Sequence, residues 1–456
     1  MVTVAKPSLE RTSPMDTMGV TRRTLTAAIV VMALLALGIA IAALAIGGRP
    51  DPPALRAAAV TLAGDWRFRV GDDPRWAQAA LDDSHWEMID LTAPPGSHDG
   101  DVGLPDYVSG WMAHGHPGHR GYAWYRRSVA VPAEAGPWAL LGPTAVDDAY
   151  AVYWNGRRLG GSGRLDAPPR PVGTRPMLFR LPADAAGARS VLAVRVYMQP
   201  GGENNADAGG LHTAPLLAPQ PVAEALHGVQ WRRTIAGYIV DVIEPIAMLT
   251  LACLALVLRR RSDRKNFLAC VAAALALVAA RRVGNPIYYW TDLQSLTTNL
   301  WLAAVVWTPL GLAAWTFAWN RWCGRPWRTI DVAATLLVLA GIVGALAEWA
   351  ALIRAARIGS IVLFALIAVR IVRDGPMRTL ALATMASILI GLFAGEVSAM
   401  GVPGIWFPFG IGVSRTQYAY AIATFLLGLL IVRTLPLEGM KPETNDRPAG
   451  IRRSSH

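Results

Sequence analysis

Cysteine is scarce in this chain. Only 3 of its 456 residues are cysteines, and they are Cys253, Cys270 and Cys323. Residues 53–226 therefore contain none, and no disulfide can stabilise that segment. We expect it to fold around an apolar core of its own, for which a segment of this length buries enough surface.

Charged residues are also few. They make up 16% of the chain, whereas hydrophobic residues make up 53% and the mean hydropathy is +0.33. This composition excludes an ordinary soluble protein of this length. The net charge of +11 would suit a nucleic-acid-binding protein. The positions of the basic residues argue against that interpretation, and we expect no nucleic-acid partner.

Long apolar runs, in contrast, are abundant. A helix that crosses the hydrocarbon core of a bilayer needs about 20 apolar residues. The sequence predicts eight such crossings, which are Thr24–Gly47, Gly237–Leu258, Asn266–Gly284, Thr298–Trp319, Ile330–Ala350, Ile358–Val372, Thr379–Gly395 and Thr416–Ile431. The first stands alone (24–47), and the other seven form a block over residues 237–432. The chain is thus predicted to be a multi-domain membrane protein with a soluble domain over residues 53–226.

Basic residues alternate between the loops of this block. The richer loops share one face, and their residues are Arg259, Arg260, Arg261, Arg264, Lys265, Arg321, Arg325, Arg328, Arg370, Arg373 and Arg378. The positive-inside rule makes this face cytoplasmic, and Arg22 and Arg23 place the N-terminus on the same side. We therefore predict a multi-pass protein of the bacterial inner membrane. Residues 1–23 and 433–456 would be cytoplasmic tails, and the soluble domain would be periplasmic.

The first apolar segment has two interpretations. Arg22 and Arg23 before an apolar run that ends in Ala43-Leu44-Ala45 would suit a cleaved signal peptide. The run is longer than the 7–15 residues of a typical signal. We favour an uncleaved anchor, and the domain that follows is exported in either case.

The exported domain has the pattern of β-strands. Short alternating segments, such as Trp66–Val70, Trp124–Val131 and Ser190–Tyr197, are separated by Gly, Pro and Asp. This pattern predicts an antiparallel β-sandwich. Asn155-Gly156 follows one strand directly and predicts a two-residue hairpin, because both residues tolerate positive φ.

The same segments carry a resemblance to a known fold. The motifs are Gly64–Phe68, Gly71–Ala77, Asp82–Trp86, Gly121–Arg127 and Val152–Gly160. In this order they resemble a galactose-binding-like jelly roll, similar to the sugar-binding domain of family-two glycoside hydrolases. The resemblance implies an all-β jelly-roll sandwich, and it implies carbohydrate binding less strongly, because this fold also serves as a plain scaffold.

The whole layout also resembles that of a receptor family. Bacterial seven-transmembrane receptors with diverse intracellular signalling modules place an exported carbohydrate-binding-like β domain ahead of seven helices. Members commonly continue into a kinase, cyclase or phosphatase module, whereas here only the short polar tail 433–456 follows the last crossing. We therefore expect no catalytic activity, no catalytic residues and a separate effector.

Two loops contain the candidate ligand-binding residues. The loop Asp106–Arg120 holds Trp111, His114, His116 and His119, and Gln199–His212 holds Glu203, Asn204, Asn205 and Asp207. Imidazoles, amides and carboxylates beside flexible glycines suit a sugar or another small polar ligand. Trp66, Trp76, Trp86, Trp124 and Trp154 lie in the fold motifs and are expected in the core, whereas Trp111 is expected outside it. Either loop could also be an ordinary solvated connection.

Neither a metal nor hydrolysis is expected at these loops. The three histidines match no established zinc spacing, and Gln199–His212 has no EF-hand spacing, so no metal or other cofactor is predicted. Hydrolysis of a glycoside needs two carboxylates about 5–9.5 Å apart in a cleft. The adjacent pairs Asp72/Asp73, Asp82/Asp83 and Asp147/Asp148 point to opposite sides of a strand if they lie in one.

Ionisable residues also occur in the predicted crossings. Asp241 and Glu244 lie one helical turn apart near the outer end of the second crossing, and the others are Arg281, Arg282, Glu348 and Glu396. Their shared depth predicts interhelical ion pairs or a polar pocket beneath the exported domain. The alternative is that each side chain extends separately to the interface.

The sequence thus favours a non-enzymatic sensory receptor of the inner membrane. Its expected partners are the lipid bilayer, a periplasmic small molecule or saccharide, and a separate cytoplasmic signalling protein. The alternatives are a membrane-anchored scaffold that binds glycan or an envelope protein, and a transporter or membrane enzyme with its site among the helices.

Overall fold

The computed structural model describes residues 22–100, 103–133, 136–201, 206–406 and 413–434. Along the chain these form an N-terminal helix, a β domain and a block of helices. Helix α1 (Arg22–Gly47) is followed by the short helix α2 (Pro53–Ala57), after which the β domain begins.

The β domain contains twelve of the described strands. They are β1 (Val60–Thr61), β2 (Asp65–Val70), β3 (Glu87–Asp90), β4 (Gly121–Ala130), β5 (Trp138–Leu141), β6 (Val146–Asp147), β7 (Ala149–Trp154), β8 (Arg157–Ser162), β9 (Leu178–Arg180), β10 (Arg189–Met198), β11 (Gly210–Leu211) and β12 (Leu216–Pro219). A six-stranded sheet has the order β3-β2-β4-β10-β7-β8, and a four-stranded sheet has the order β1-β12-β5-β9. All pairs in both sheets are antiparallel, as the alternating segments predict.

The two sheets pack face to face around one apolar core. Trp66, Phe68 and Val194 of the six-stranded sheet meet Leu140 and Leu217 of the four-stranded sheet, and all five are buried. Alternate residues of each strand point inward, which is why the period of two was visible in the sequence. Burial of apolar area stabilises this domain without a cystine.

Tryptophans also cover the outer face of the six-stranded sheet. Trp124 is fully buried there beneath Trp86 and the partly buried Trp76. Beside them the guanidinium of Arg126 donates to the Asp83 carboxylate at 2.9 Å. The prediction of a core position is thus confirmed for Trp66, Trp86, Trp124 and Trp154, each no more than 6% exposed, and in part for Trp76.

The hairpin between β7 and β8 turns at the predicted dipeptide. Asn155 and Gly156 have φ values of 48° and 85°. Positive φ at both positions defines a type I′ turn, whose twist matches that of the strands.

Helices follow the β domain to residue 433. They are α3 (Gln220–Gly237), α4 (Val240–Leu258), α5 (Lys265–Trp290), α6 (Leu296–Trp301), α7 (Thr308–Trp322), α8 (Arg328–Leu346), α9 (Ala350–Asp374), α10 (Arg378–Leu392), α11 (Ala394–Ala399) and α12 (Arg415–Arg433). A π-helical turn (Leu302–Trp307) joins α6 to α7, and strands β13 (Ile405–Trp406) and β14 (Val413–Ser414) precede α12.

Seven stretches of helix in the described ranges are long and apolar enough to cross a membrane. They are Thr24–Gly47, Gln220–Leu258, Lys265–Trp290, Leu296–Trp322, Arg328–Leu346, Ala350–Asp374 and Arg415–Arg433. The predicted crossing Thr379–Gly395, seventh along the chain, corresponds to α10, which has only 15 residues and is shorter than these stretches. Helix α9 begins at Ala350 rather than at the predicted Ile358, so Arg354 and Arg357 lie within the helix, where Arg357 forms an ion pair with Glu396.

Loops rich in arginine meet at the end of the bundle opposite the β domain. Arg264 donates to the carbonyl of Trp322, and the Trp322 indole donates to the carbonyl of Pro376 at 3.3 Å. Ser262 reaches the carbonyl of Thr434 at 3.4 Å. Contacts among four chain segments place these basic loops on one side, as the alternation predicts.

Helix α3 joins the two parts of the molecule. Strand β12 ends at Pro219, and α3 starts at the next residue. Its Ala223 and Leu226 pack on Ala139 and Ala218 of the outer face of the four-stranded sheet. Only two residues separate the end of α3 from α4, so the sheet is connected almost directly to a bundle helix.

Helix α1 packs along α12. Ile29 of α1 is 5% exposed. A Cβ atom added to Gly428 of α12 would lie 3.0 Å from the Cγ2 atom of Ile29. The absence of a side chain at Gly428 allows this close approach. Helix α1 therefore contacts the bundle as well as leading into the β domain.

Candidate functional site

Trp111 lies in the core of the β domain. Its side chain is 0% exposed, and its ring centroid lies 6.1 Å from that of Phe68. Its backbone N–H donates to Gly209, and its indole donates to the carbonyl of His119 at 3.2 Å. The prediction that Trp111 lies outside the core is therefore wrong. The Asp106–Arg120 loop folds inward, so that Trp111 is buried although glycines lie on either side of it in the loop.

The three histidines of this loop point in different directions. His114 is exposed, His116 Nε2 lies 2.8 Å from Glu87 Oε2, and His119 Nε2 lies 3.2 Å from the carbonyl oxygen of Tyr122. Within the described ranges, no group of three or more His, Cys, Asp or Glu side chains is arranged to hold a metal ion.

The second predicted loop is described only in part. Glu203, Asn204 and Asn205 lie outside the described residues. Asp207 is described, and its carboxylate hydrogen-bonds the phenol of Tyr107. The structure therefore brings the two predicted loops together, through the Tyr107–Asp207 contact and through backbone hydrogen bonds such as Trp111 N–H to Gly209.

His212 is the centre of a polar cluster around this contact. Its ring is 3% exposed and stacks on that of Tyr107, with centroids 4.7 Å apart. Nδ1 lies 2.9 Å from the carbonyl oxygen of Val108, and Nε2 lies 3.1 Å from Asp147 Oδ2. Both neighbours of the ring are acceptors, so the doubly protonated imidazolium satisfies the site best.

The pKa values in this cluster are shifted in a consistent pattern. Burial alone would lower the pKa of His212, but the hydrogen bond and charge of Asp147 outweigh it and raise that pKa. Burial would raise the pKa of Asp147, yet His212 keeps it below its ordinary value. Burial, together with the charge of Asp147, raises the pKa of Asp148 to about 7. Two neighbouring carboxyl groups thus titrate in different pH ranges.

Asp148 is connected to the helices through one residue. Its carboxylate accepts from the backbone N–H of Gln199 at 2.8 Å, and the Gln199 side-chain oxygen accepts from the Thr297 hydroxyl of α6 at 3.0 Å. Next to this contact, the N–H of Leu296 donates to the carbonyl of Pro171 at 3.0 Å. The titratable cluster therefore lies at the junction between the β domain and the bundle.

Sequence reasoning found only part of this cluster. Asp147 and Asp148 were recognised as an adjacent pair, but as candidates for hydrolysis. Tyr107 gave no signal, since a tyrosine in a glycine-rich loop has no periodic pattern. His212 marked the end of a loop without an assigned role. The contacts join residues up to 104 positions apart, which no local pattern reveals.

A second group of polar residues lies inside the bundle. Arg282 forms ion pairs with Asp241 and, at 3.2 Å, with Glu244, and all three residues are buried. Asn285 donates to Asp241 at 2.9 Å, and Gln417 does so at 3.4 Å. The structure thus brings Asp241, Glu244 and Arg282 together across α4 and α5, with α12 as a third element.

The other ionisable residues predicted within the crossings, Glu396, Arg281 and Glu348, all lie in the described ranges and form no ion pair with this group. Glu396 pairs with Arg357 of α9, with Arg357 Nη2 2.5 Å from Glu396 Oε2. Arg281 donates to the Thr308 hydroxyl at 3.2 Å. Glu348 is exposed just beyond α8. Asn285, Gln417 and Arg357 were not predicted, because single amides and a paired arginine have no distinctive spacing.

We expect Trp111→Ala to destabilise the protein by about 3–5 kcal/mol, as for the loss of a buried aromatic side chain. The matched change His114→Ala in the same loop should cost no more than about 0.5 kcal/mol, because His114 is exposed. Thermal unfolding of the full chain in detergent measures both. An unchanged melting temperature for Trp111→Ala would contradict its position in the core.

We also expect the protein to be more stable at about pH 5.5 than at about pH 8. The pKa of Asp148 is about 7 in the folded protein and 3.8 ordinarily. Between these two pH values the folded protein holds a proton that the unfolded chain has lost, so the free energy of unfolding falls as the pH rises from 3.8 to about 7. The raised pKa of His212 adds stability that is present below 6.5 and lost as the pH rises through its folded pKa.

Melting temperatures across this pH range measure the effect. Asp148→Asn should reduce the difference, whereas Asp184→Asn, at an exposed position, should leave it unchanged. Identical pH dependence in the Asp148→Asn variant and the parent would show that Asp148 does not titrate in this range.

Comparison with known proteins shows little. No protein-family model and no curated protein sequence matches this chain. A β-glucuronidase from glycoside hydrolase family 2 is similar over 35% of this chain and 17% of its own, at 21% identity and a TM-score of 0.26. The Bacteroides uniformis β-glucuronidase is similar over the same shares at 22% identity and the same TM-score. A family 2 member from Bacteroides cellulosilyticus DSM 14838 reaches 20% identity, with 20% of that chain covered. The likeness is too weak to show a shared fold, and no match shows the receptor family.

Proposed function

We propose that this protein is a sensory receptor of the bacterial inner membrane. Its β domain binds a small polar ligand, with saccharides as the first class to test, and the helices report the binding to a separate effector. The Asp148–Gln199–Thr297 contact carries this proposal. It connects a partly buried titratable cluster of the β domain to α6 within one residue.

Two further connections support mechanical coupling. Arg175 of the β domain forms an ion pair with Asp292 beside α6, and α3 ties the four-stranded sheet to α4. A ligand that shifts the loops around Asp148 would therefore act on α4 and α6. Such a ligand biases the bundle only by its difference in affinity for two packings.

The orientation proposed from the sequence gives this coupling a direction. With the basic loops in the cytoplasm, the β domain is periplasmic, and the signal passes inward. The basic end offers a partner a surface rich in arginine, with Arg259, Arg260 and Arg373 exposed. We propose that an acidic face of the effector docks there, because opposite charges speed and orient association.

The orientation is tested with a reporter that is active only in the periplasm. Fused after Gly160 or Pro403, it should be active, and fused after Arg261 or at the C-terminus, it should be silent. The reason is the basic face, which stays on the cytoplasmic side. Reporter activity after Arg261 would contradict the proposed orientation and the seven-helix count.

Coupling is tested with a label at the end of the bundle far from the β domain. Cys323, directly after α7, is partly exposed and is left as the one cysteine after Cys253→Ser and Cys270→Ala. An environment-sensitive fluorophore on Cys323 in full-length protein in nanodiscs should respond to a saccharide that raises the melting temperature. Gln199→Ala should abolish the emission change but preserve the thermal shift, since its contact to Asp148 uses only the backbone N–H.

Gln220→Ala is the matched control, because the Gln220 side chain bonds Glu224 within α3 at 2.8 Å. It should keep both the thermal shift and the emission change. An emission change that survives Gln199→Ala would show that coupling does not pass through this contact. Ligand binding with no emission change in the parent would favour a scaffold over a receptor.

A further inference from the structure

A polar layer crosses the bundle near its β-domain end. It contains the four arginines Arg281, Arg282, Arg357 and Arg415 and the three carboxylates Asp241, Glu244 and Glu396. With all of them ionised, one positive charge is in excess. Charges at this depth are costly without a partner, so the excess charge needs a counter-ion or water.

Arg281 and Arg415 are the two arginines of this layer without a carboxylate partner among the described residues, and of these only Arg281 is exposed. Arg282 pairs with Asp241 and Glu244, and Arg357 pairs with Glu396. Arg415 is buried, and its guanidinium donates to the carbonyls of Ala394 and Val402 and to the hydroxyl of Ser398. Arg281 has the Thr308 hydroxyl at 3.2 Å, and no carboxylate of the described residues lies within ion-pair distance of it.

Arg281 faces a polar cavity of about 260 Å³ between the bundle and the β domain. Tyr420, Arg282, Arg415 and Gly100 of the β domain line the same cavity, as does Asp241, whose carboxylate pairs with Arg282 and accepts from Asn285 and Gln417. With Asp241 paired in this way, the guanidinium of Arg281 and the phenol of Tyr420 are donors suited to the oxygen atoms of a phosphate group.

An apolar cavity of about 190 Å³ lies on the other side of the Arg281–Thr308 hydrogen bond. Thr308 lines it together with Leu312, Leu337 and Gly341. The hydroxyls of Thr316 and Ser360 also line it, but they bond to carbonyls of their own helices at 2.7 and 2.9 Å. Arg357 also lines the cavity, and its guanidinium pairs with Glu396. The rest of the wall is apolar and suits hydrocarbon rather than a polar ligand.

We propose that these two cavities bind one acidic phospholipid of the surrounding bilayer. Its phosphate pairs with Arg281 in the polar cavity, and part of an acyl chain occupies the apolar cavity beyond Thr308. The unpaired positive charge selects an anionic headgroup over a zwitterionic one. This site is independent of the proposed receptor function, since it requires no ligand in the β domain.

The depth of Arg281 favours a lipid as the source of the phosphate. Helix α5 ends in Tyr288, Tyr289 and Trp290, residue types enriched at membrane interfaces. Arg281 lies about two and a half helical turns before Trp290, and a basic side chain in this position extends outward to the headgroup layer of the adjacent leaflet.

Native mass spectrometry of the full chain in detergent tests this proposal with three additives: phosphatidylglycerol, phosphatidylcholine and inorganic phosphate. The parent should retain one phosphatidylglycerol in preference to phosphatidylcholine. Arg281→Gln should weaken that retention by more than about tenfold, roughly 1.4 kcal/mol. Arg354→Gln is the matched control, because Arg354 is exposed on α9 and lines neither cavity. It should leave retention unchanged.

A second pair of variants tests the apolar cavity. A Cβ on Gly341 would lie 3.8 Å from Pro309 Cγ and 3.9 Å from Ala356 Cβ, so Gly341→Ala fits at ordinary contact distance and should preserve retention. Gly341→Leu fills the cavity and should reduce it. Folding of each variant is checked by its elution as a single species. Equal retention by Arg281→Gln and the parent, equal retention of the two lipids, or binding of phosphate without phosphatidylglycerol would each overturn the proposal.

Discussion

The packing of α3 on the four-stranded sheet is the contact on which the rest of the structure depends. Ala223 and Leu226 bury their side chains on strand residues, and α3 then leads into α4 after two residues. A flexible linker would leave the β domain free to rotate over the membrane helices. Here a rigid helix holds it, so Gln199 and Arg175 meet α6 and its flanking residues in a defined geometry.

Charged groups lie on both sides of this junction. In the β domain, Asp147 and His212 stabilise each other's charged forms, and the pKa of Asp148 is about 7. In the bundle, the carboxylates of Asp241, Glu244 and Glu396 have arginine partners, whereas Arg281 has no carboxylate partner among the described residues. Both groups are sensitive to a change in charge, because a low-dielectric surrounding strengthens each interaction.

The chain's periodic features were visible in its sequence. Alternation predicted the strands and the cores around Trp66 and Trp124, and Asn155-Gly156 predicted a hairpin with positive φ at both residues. Apolar runs predicted the long helices, although Arg357 hid the true start of α9. These features depend on residues within a few positions of one another, and backbone geometry alone imposes their period.

Only the tertiary structure decided which side chains meet. It buried Trp111, which the surrounding glycines and histidines had suggested was outside the core. It joined Tyr107 and Asp147 to His212, and it paired Arg357 with Glu396. These contacts span tens of residues and depend on how two sheets and a bundle pack, so no local pattern encodes them. The sequence determined the elements and their order, whereas the packing of distant segments determined the candidate sites.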